Sequence, residues 1–284
     1  MPPATAPPAA TVTNPGRSHA MNHALDTIAT GLEASQTMMD TIADNLSNVN
    51  TTGFKSETPE FQSLVYQDSI QPGANSSGQT IYPSGLELGT GVKVASIKDT
   101  LTQGTLATTG NPLDLAINGS GYFQILQPNG QTAYTRDGAF QLNQNGQLVN
   151  SSGYQVLPNV TIPSNATSVT IGTDGTVSVT VPGSSSATQV GQIQLANFIN
   201  PQGLQPLGGN LFASTTASGS AIAGAPQSNG LGSVNQNYLE SSNVDVVQAM
   251  VNMISAERAY QLSTQAASAV DNQLNYLAQA AAGA

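Results

Sequence analysis

The chain has 284 residues, room for one large domain or two smaller ones, and six Lys or Arg against sixteen Asp or Glu give it a formal net charge of −10. Only 8% of it is charged, so Ser, Thr, Asn, Gln and Gly must cover most of the surface, which suits a subunit packed against copies of itself. Six scattered cations exclude a basic patch for nucleic acid and argue against an anionic membrane surface, and a chain without cysteine has no disulfide, thiolate metal site or Cys nucleophile.

Residues 1–20 are rich in Pro, Ala and Thr and read as a disordered extension, with Met21 a candidate natural start. Arg17 follows the weakly apolar stretch instead of preceding it, which is not the order of a cleaved secretion signal. No apolar run is long enough to span a bilayer, so membrane insertion is not expected.

From Leu25 the apolar residues fall on a 3–4 alternation: Leu25, Ile28, Leu32, Met39, Ile42, Leu46 and Val49, with Ser35 the one polar member. That is the a/d seam of a coiled coil, and it predicts an N-terminal helix within 21–53, roughly 40 Å long, ending before Thr51, Thr52 and Gly53. Segment 54–95 has weak periodicity and several Pro and Gly, and reads as an extended linker.

Over 96–235 the pattern changes to short alternating runs, such as Leu113, Leu115 and Ile117, or Val177, Val179 and Val181. Turn dipeptides punctuate them at Asn118-Gly119, Asn129-Gly130, Asp137-Gly138, Asn145-Gly146 and Asp174-Gly175, and such pairs readily close type I′ hairpins. An antiparallel β-rich domain follows, with 182–189 and 213–229 as loops. The last element is a helix within 236–284, with Ser241, Ser242 and Asn243 as candidate caps and Asp245 in the first turn. Its seam runs through Val246, Ala249, Met253, Ala256, Tyr260, Ser263, Ala267, Val270, Leu274 and Leu277. Val247, Met250, Val251, Ile254 and Leu262 form a second stripe, so this helix has two faces to bury. Both helices are acidic, so flanking charges cannot select their pairing. The expected class is α+β: long terminal helices in a coiled-coil-like layer around a central antiparallel β-rich domain.

No catalytic, cofactor or metal residues emerge. His19 and His23 sit at or before the start of the first helix, away from any folded core. Asp137 and Asp174 are turn formers, and Gly89-Thr90-Gly91 and Gly119-Ser120-Gly121 lack the third glycine of a dinucleotide fingerprint. A glycan-cleaving β enzyme would require Asp114 or Asp137 in a carboxylate cleft, and a glycan-binding adhesin would require a binding surface on the β domain.

The stretch Thr41-Ile42-Ala43-Asp44-Asn45-Leu46-Ser47-Asn48-Val49-Asn50-Thr51-Thr52-Gly53-Phe54-Lys55 resembles the N-terminal signature of the bacterial flagellar basal-body rod and hook family. Asn45, Leu46, Asn48, Thr52, Gly53, Phe54 and Lys55 carry the match. Gly121-Tyr122-Phe123-Gln124, Tyr134 through Phe140 and Asn145 through Val149 resemble its β-domain motif. Ser242 through Asp245, Met250 through Ile254 and Arg258-Ala259-Tyr260 resemble its C-terminal helix. Phe61 through Gln67, Gln71-Pro72-Gly73 and Pro83 through Val92 are most similar to the family's distal rod members; proximal rod and hook members are the alternatives.

The resemblance implies a structural subunit of a tubular homo-polymer, a drive shaft between motor and hook. Its implied partners are adjacent rod and hook proteins, the surrounding basal-body rings and the type III export apparatus. Its implied place is the periplasmic part of the basal body, reached without a cleaved signal. The seams are the expected assembly interface, with Asn45 and Asn48 available to hydrogen-bond a neighbour.

Overall fold

The computed structural model describes residues 15–70, 75–77, 80–81, 84–183 and 186–282. Helix α1 spans Pro15–Ser47, with proline in its first turn, where a missing N–H leaves no bond unmade. Residues 1–14 of the expected extension lie outside the described residues, and the helix begins at Pro15 instead of Met21. Ser35, the polar member of the seam, returns its hydroxyl to the Gly31 carbonyl at 2.9 Å, so it enters the seam without an unmet donor.

The chain divides into two compact units. The first holds α1 to Asp40, residues 59–97 and the C-terminal helix from Asn252; the second holds 41–58 and 98–251. Where an extended linker was expected over 54–95, the chain is extended but paired with itself. Strands β1 (Glu57–Ser63), β2 (Gln67–Ile70), β3 (Asn75–Ser77), β4 (Thr80–Ile81), β5 (Leu86–Leu88) and β6 (Val92–Asp99) form nested ladders β1–β6, β2–β5 and β3–β4. Backbone groups that find no partner elsewhere satisfy one another locally. Two pieces of the family match, Gln71-Pro72-Gly73 and Pro83, lie outside the described residues. Gly91 takes φ +113° against α1, where a Cβ would collide with the Thr30 hydroxyl. That hydroxyl accepts the Val92 N–H at 3.3 Å.

The second unit contains β7 (Leu106–Thr108), β8 (Leu115–Asn118), β9 (Tyr122–Leu126), β10 (Thr132–Thr135), β11 (Gln141–Leu142) and β12 (Leu148–Val149). It continues with β13 (Gln155–Leu157), β14 (Ser168–Ile171), β15 (Thr176–Thr180), β16 (Thr188–Gln192) and β17 (Leu195–Asn197). It ends with β18 (Gln205–Gly208), β19 (Leu211–Ala213), β20 (Ile222–Gly224), β21 (Ser233–Gln236) and β22 (Tyr238–Glu240). These strands pair antiparallel, and β9 is the hub: β10 runs along one edge, and β13 then β17 share the other.

Alternation places Leu115 and Ile117, Phe123 and Ile125, and Val177 in one buried cluster, where Phe123 meets Phe140 edge-on at 5.1 Å. The opposite face of β9 and its neighbours β10 and β17, carrying Tyr122, Tyr134 and Ala196, packs with Phe198 and Leu204 in a second cluster. Being covered on both faces, β9 reads as a nearly continuous apolar run.

Three of the five turn dipeptides close hairpins: Asn129-Gly130 joins β9 to β10, Asn145-Gly146 joins β11 to β12, and Asp174-Gly175 joins β14 to β15. The other two do not. β8 leaves Asn118-Gly119 to pair with β21, and at Gly138 the carbonyl accepts the Leu115 N–H at 3.0 Å. The segments 182–189 and 213–229, expected as loops, contribute the start of β16 and all of β20. Their Ser, Thr and Ala content concealed strands whose pairing is supplied by neighbours.

Helix α2 spans Val246–Ala282. Asp245 is its cap and not a first-turn residue: Oδ1 accepts the N–H groups of Val247 at 2.9 Å and Gln248 at 3.1 Å. Asn243, expected as a cap, is used by the β unit. Phe123→Ala is expected to lower the unfolding free energy by about 3–5 kcal/mol through the cavity it leaves, read as a lower urea midpoint with unchanged slope.

Candidate assembly site

The motif from Thr41 to Lys55 folds as an internal clamp of the second unit. After Ser47 the helix gives way to turns, and Asn48 Nδ2 returns to the Asp44 carbonyl while its Oδ1 accepts the Thr51 hydroxyl at 3.2 Å. Asn45 imitates a β-strand partner: Nδ2 donates to the Glu57 carbonyl and Oδ1 accepts the Glu57 N–H, both at 2.7 Å. Both of its groups are therefore used inside the subunit. Thr52 donates to Asp137 at 2.7 Å, and its carbonyl accepts from Asn210. Gly53, at φ +68°, donates to the Glu240 carbonyl, and a Cβ there would lie 2.7 Å from the Arg136 carbonyl carbon.

Glu240 is the centre of the clamp. Its carboxylate is fully buried and receives the Lys55 ammonium, the Gly104 N–H at 3.0 Å and the Arg136 guanidinium at 3.5 Å. Lys55 also donates to the Thr102 carbonyl at 2.9 Å. Burial pushes the Lys55 ammonium below its ordinary value, and Glu240 acts in the opposite direction. Arg136 lies over the Tyr122 ring at 5.3 Å. Asn243 closes the clamp from the C-terminal side, donating to the Thr100 carbonyl and accepting the Ser56 N–H, both at 2.7 Å. Glu240, Arg136 and Asn243 were not singled out as a set from sequence. A carboxylate inside the run Tyr238-Leu239-Glu240, in a chain only 8% charged, was the available signal.

Beside the clamp is a groove of about 220 Å³ lined by Phe54, Pro206, Leu211 and Phe212 together with Glu57 and Asp99. Burial raises both carboxyls above their ordinary values, and Asp99 and Asp44 repel Glu57 further. Asp114 and Asp137, the carboxylates an enzyme reading would need, are tied into local structure. Asp114 accepts from Asn111 at 2.8 Å, and Asp137 accepts from Thr52 and the Ala139 N–H.

The expected seams are the less exposed faces of both helices. Leu25, Ile28, Leu32, Met39, Leu46 and Val49 are half-buried or buried, and Ile42 is buried; Met253, Tyr260, Val270 and Leu274 are half-buried, and Leu277 is exposed. The second stripe of α2 is bare, with Val247 73%, Ile254 51% and Leu262 65% exposed.

Long terminal helices, one with an uncovered apolar stripe, joined to a self-contained β unit define a structural subunit built for association. Residues 25–55 match the family model described as flagella basal body rod protein, 116–179 the flagellar hook protein FlgE/F/G D1 domain, and 235–280 the flagellar basal body rod FlgEFG protein C-terminal model. The flagellar basal-body rod protein FlgG of Buchnera aphidicola subsp. Acyrthosiphon pisum is 48% identical over 88% of this chain and 96% of its own. That of Caulobacter vibrioides is 46% identical over 90% and 98%, and that of Bacillus subtilis 37% over 87% and 94%. The chain belongs to this flagellar rod family, as a structural subunit of the distal rod type and not an enzyme. The solved Helicobacter pylori flagellar hook protein FlgE2 overlaps 66% of this chain and 43% of its own at TM-score 0.23 and 14% identity, too slight a likeness to bear on the fold.

Lys55→Met is expected to destabilise the isolated subunit by about 3–5 kcal/mol, because it strips the main cation from a buried carboxylate; denaturant unfolding reads it. Asp99 behaves in the opposite sense. A carboxyl raised in the folded state binds its proton more tightly there, so stability falls as pH rises from its ordinary 3.8 through the raised value. Asp99→Asn is therefore expected to raise the urea midpoint at neutral pH and to flatten that decline.

Proposed function

We propose that copies of this chain polymerise through their terminal helices into a tube that transmits torque from the flagellar motor to the hook. The helices of many copies form a coiled layer, and the β units a second one. Twisting such a tube shears many side-by-side contacts at once, which is what a drive shaft must resist. The adjoining partners are other rod proteins and the hook, with the basal-body rings around the shaft in the periplasm. Subunits arrive unfolded through the flagellar type III export route, without a cleaved signal.

The observation that carries this reading is the bare stripe on α2. Val247, Met250, Val251, Ile254 and Leu262 are each at least half exposed. Apolar positions repeated along one helix are stabilised when a partner covers them. The half-buried seam beside them explains why α2 has two apolar faces. Ile42, by contrast, is 6% exposed inside its own subunit, so an Asp there would unfold the subunit and report nothing about assembly.

Ile254→Asp is expected to abolish rod assembly and motility while the purified monomer keeps its circular dichroism spectrum and melting temperature. A motile strain with normal rods would count against the stripe as an interface.

A further inference from the structure

The groove beside the clamp holds two half-buried carboxylates with no cation. Neither the Glu57 nor the Asp99 carboxylate makes a hydrogen bond or ion pair among the described residues. Lys55 also lines the groove, but its ammonium is committed to Glu240. Phe54, Pro206, Leu211 and Phe212 give it apolar walls. It therefore suits an occupant with a cationic tip and apolar flanks.

This chain can supply that occupant from few places. Of its six cations, Lys55 and Arg136 are buried on Glu240, and Lys98 has an interaction of its own. The side chain of Arg17 lies outside the described residues. Lys93 and Arg258 are exposed and make no ion pair among the described residues. Arg258 is the better match, because Ile254 and Leu262 stand one turn to either side of it on α2, 51% and 65% exposed. Its planar guanidinium can also bridge two carboxylates, which the point charge of Lys93 does less well.

We propose that Arg258 of one copy docks into this groove of a neighbouring copy, its guanidinium between Glu57 and Asp99 and its flanking Ile254 and Leu262 near the apolar walls. The contact rests on the polymer reading above and gives it a specific pair of surfaces. With ten net negative charges per chain, copies repel, and one cation set between two carboxylates offsets that locally and fixes register. The same two carboxylates destabilise the isolated subunit, so they favour the assembled state over the free one.

The absence of native cysteine makes the test clean. Chains carrying Asp99→Cys and Arg258→Cys are co-expressed, and isolated rods are oxidised and run without reductant. A disulfide-linked dimer is expected only when both substitutions are present. Rods that contain both and yield no dimer overturn the contact, as does cross-linking of Asp99→Cys to Lys93→Cys in its place. Charge exchange gives a second readout. Arg258→Glu is expected to reduce assembly at least tenfold, and Glu57→Arg added to the same chain to restore it. Wild-type assembly by Arg258→Glu, or no restoration by the exchange, overturns the proposal. The rod reading itself falls only if the wild-type chain forms no rods, an outcome the same preparations show separately.

Discussion

A single buried carboxylate, Glu240, joins segments of the second unit that lie far apart in the sequence. Its partners come from residues 55, 104 and 136, so the ion pairs can form only after the β strands and the motif have met. In a buried setting such a network contributes modest net stability but penalises every arrangement that leaves Glu240 unpaired. The Gly53 N–H and the Asn243 side chain add bonds on either side of it, from Gly53 to the Glu240 carbonyl and between the Asn243 amide and the backbone of Ser56 and Thr100. The outcome is a β unit that takes in the whole motif as part of 41–58.

That placement changes what the family motif does physically. Asn45, Thr52, Gly53 and Lys55 all satisfy groups of their own subunit, so the motif fixes how the chain leaves α1. The surfaces proposed for association lie elsewhere, on the uncovered stripe of α2 and in the carboxylate groove. One is apolar and nondirectional; the other is charged and selects register. A polymer subunit benefits from that division, because burial drives contact while charge decides which contact.

Much of this was legible in the residues because periodicity reports burial directly. Apart from Leu277, the α2 seam read from spacing, including Ala249 and Ala256, is the less exposed face of the helix, and the second stripe is the open one. Leu115, Ile117, Val177 and Val179 were likewise evident from alternation. The clamp was not, since Glu240, Arg136 and Asn243 join Lys55 and Ser56 through contacts between segments far apart in sequence. Hairpin turns were legible only where the chain returns at once, as at Asn129-Gly130. At Asn118-Gly119 a distant strand, β21, takes the pairing. The strand β20 and the start of β16 were missed because their register is imposed by neighbours and not by their own side chains.

In the proposed polymer the α2 stripe, open in the free subunit, is covered. Maleimide labelling of Met250→Cys, in a chain with no other cysteine, measures this directly. Packing through this stripe predicts rapid labelling of the free subunit and strong protection in assembled rods. Equal labelling of both forms would contradict it.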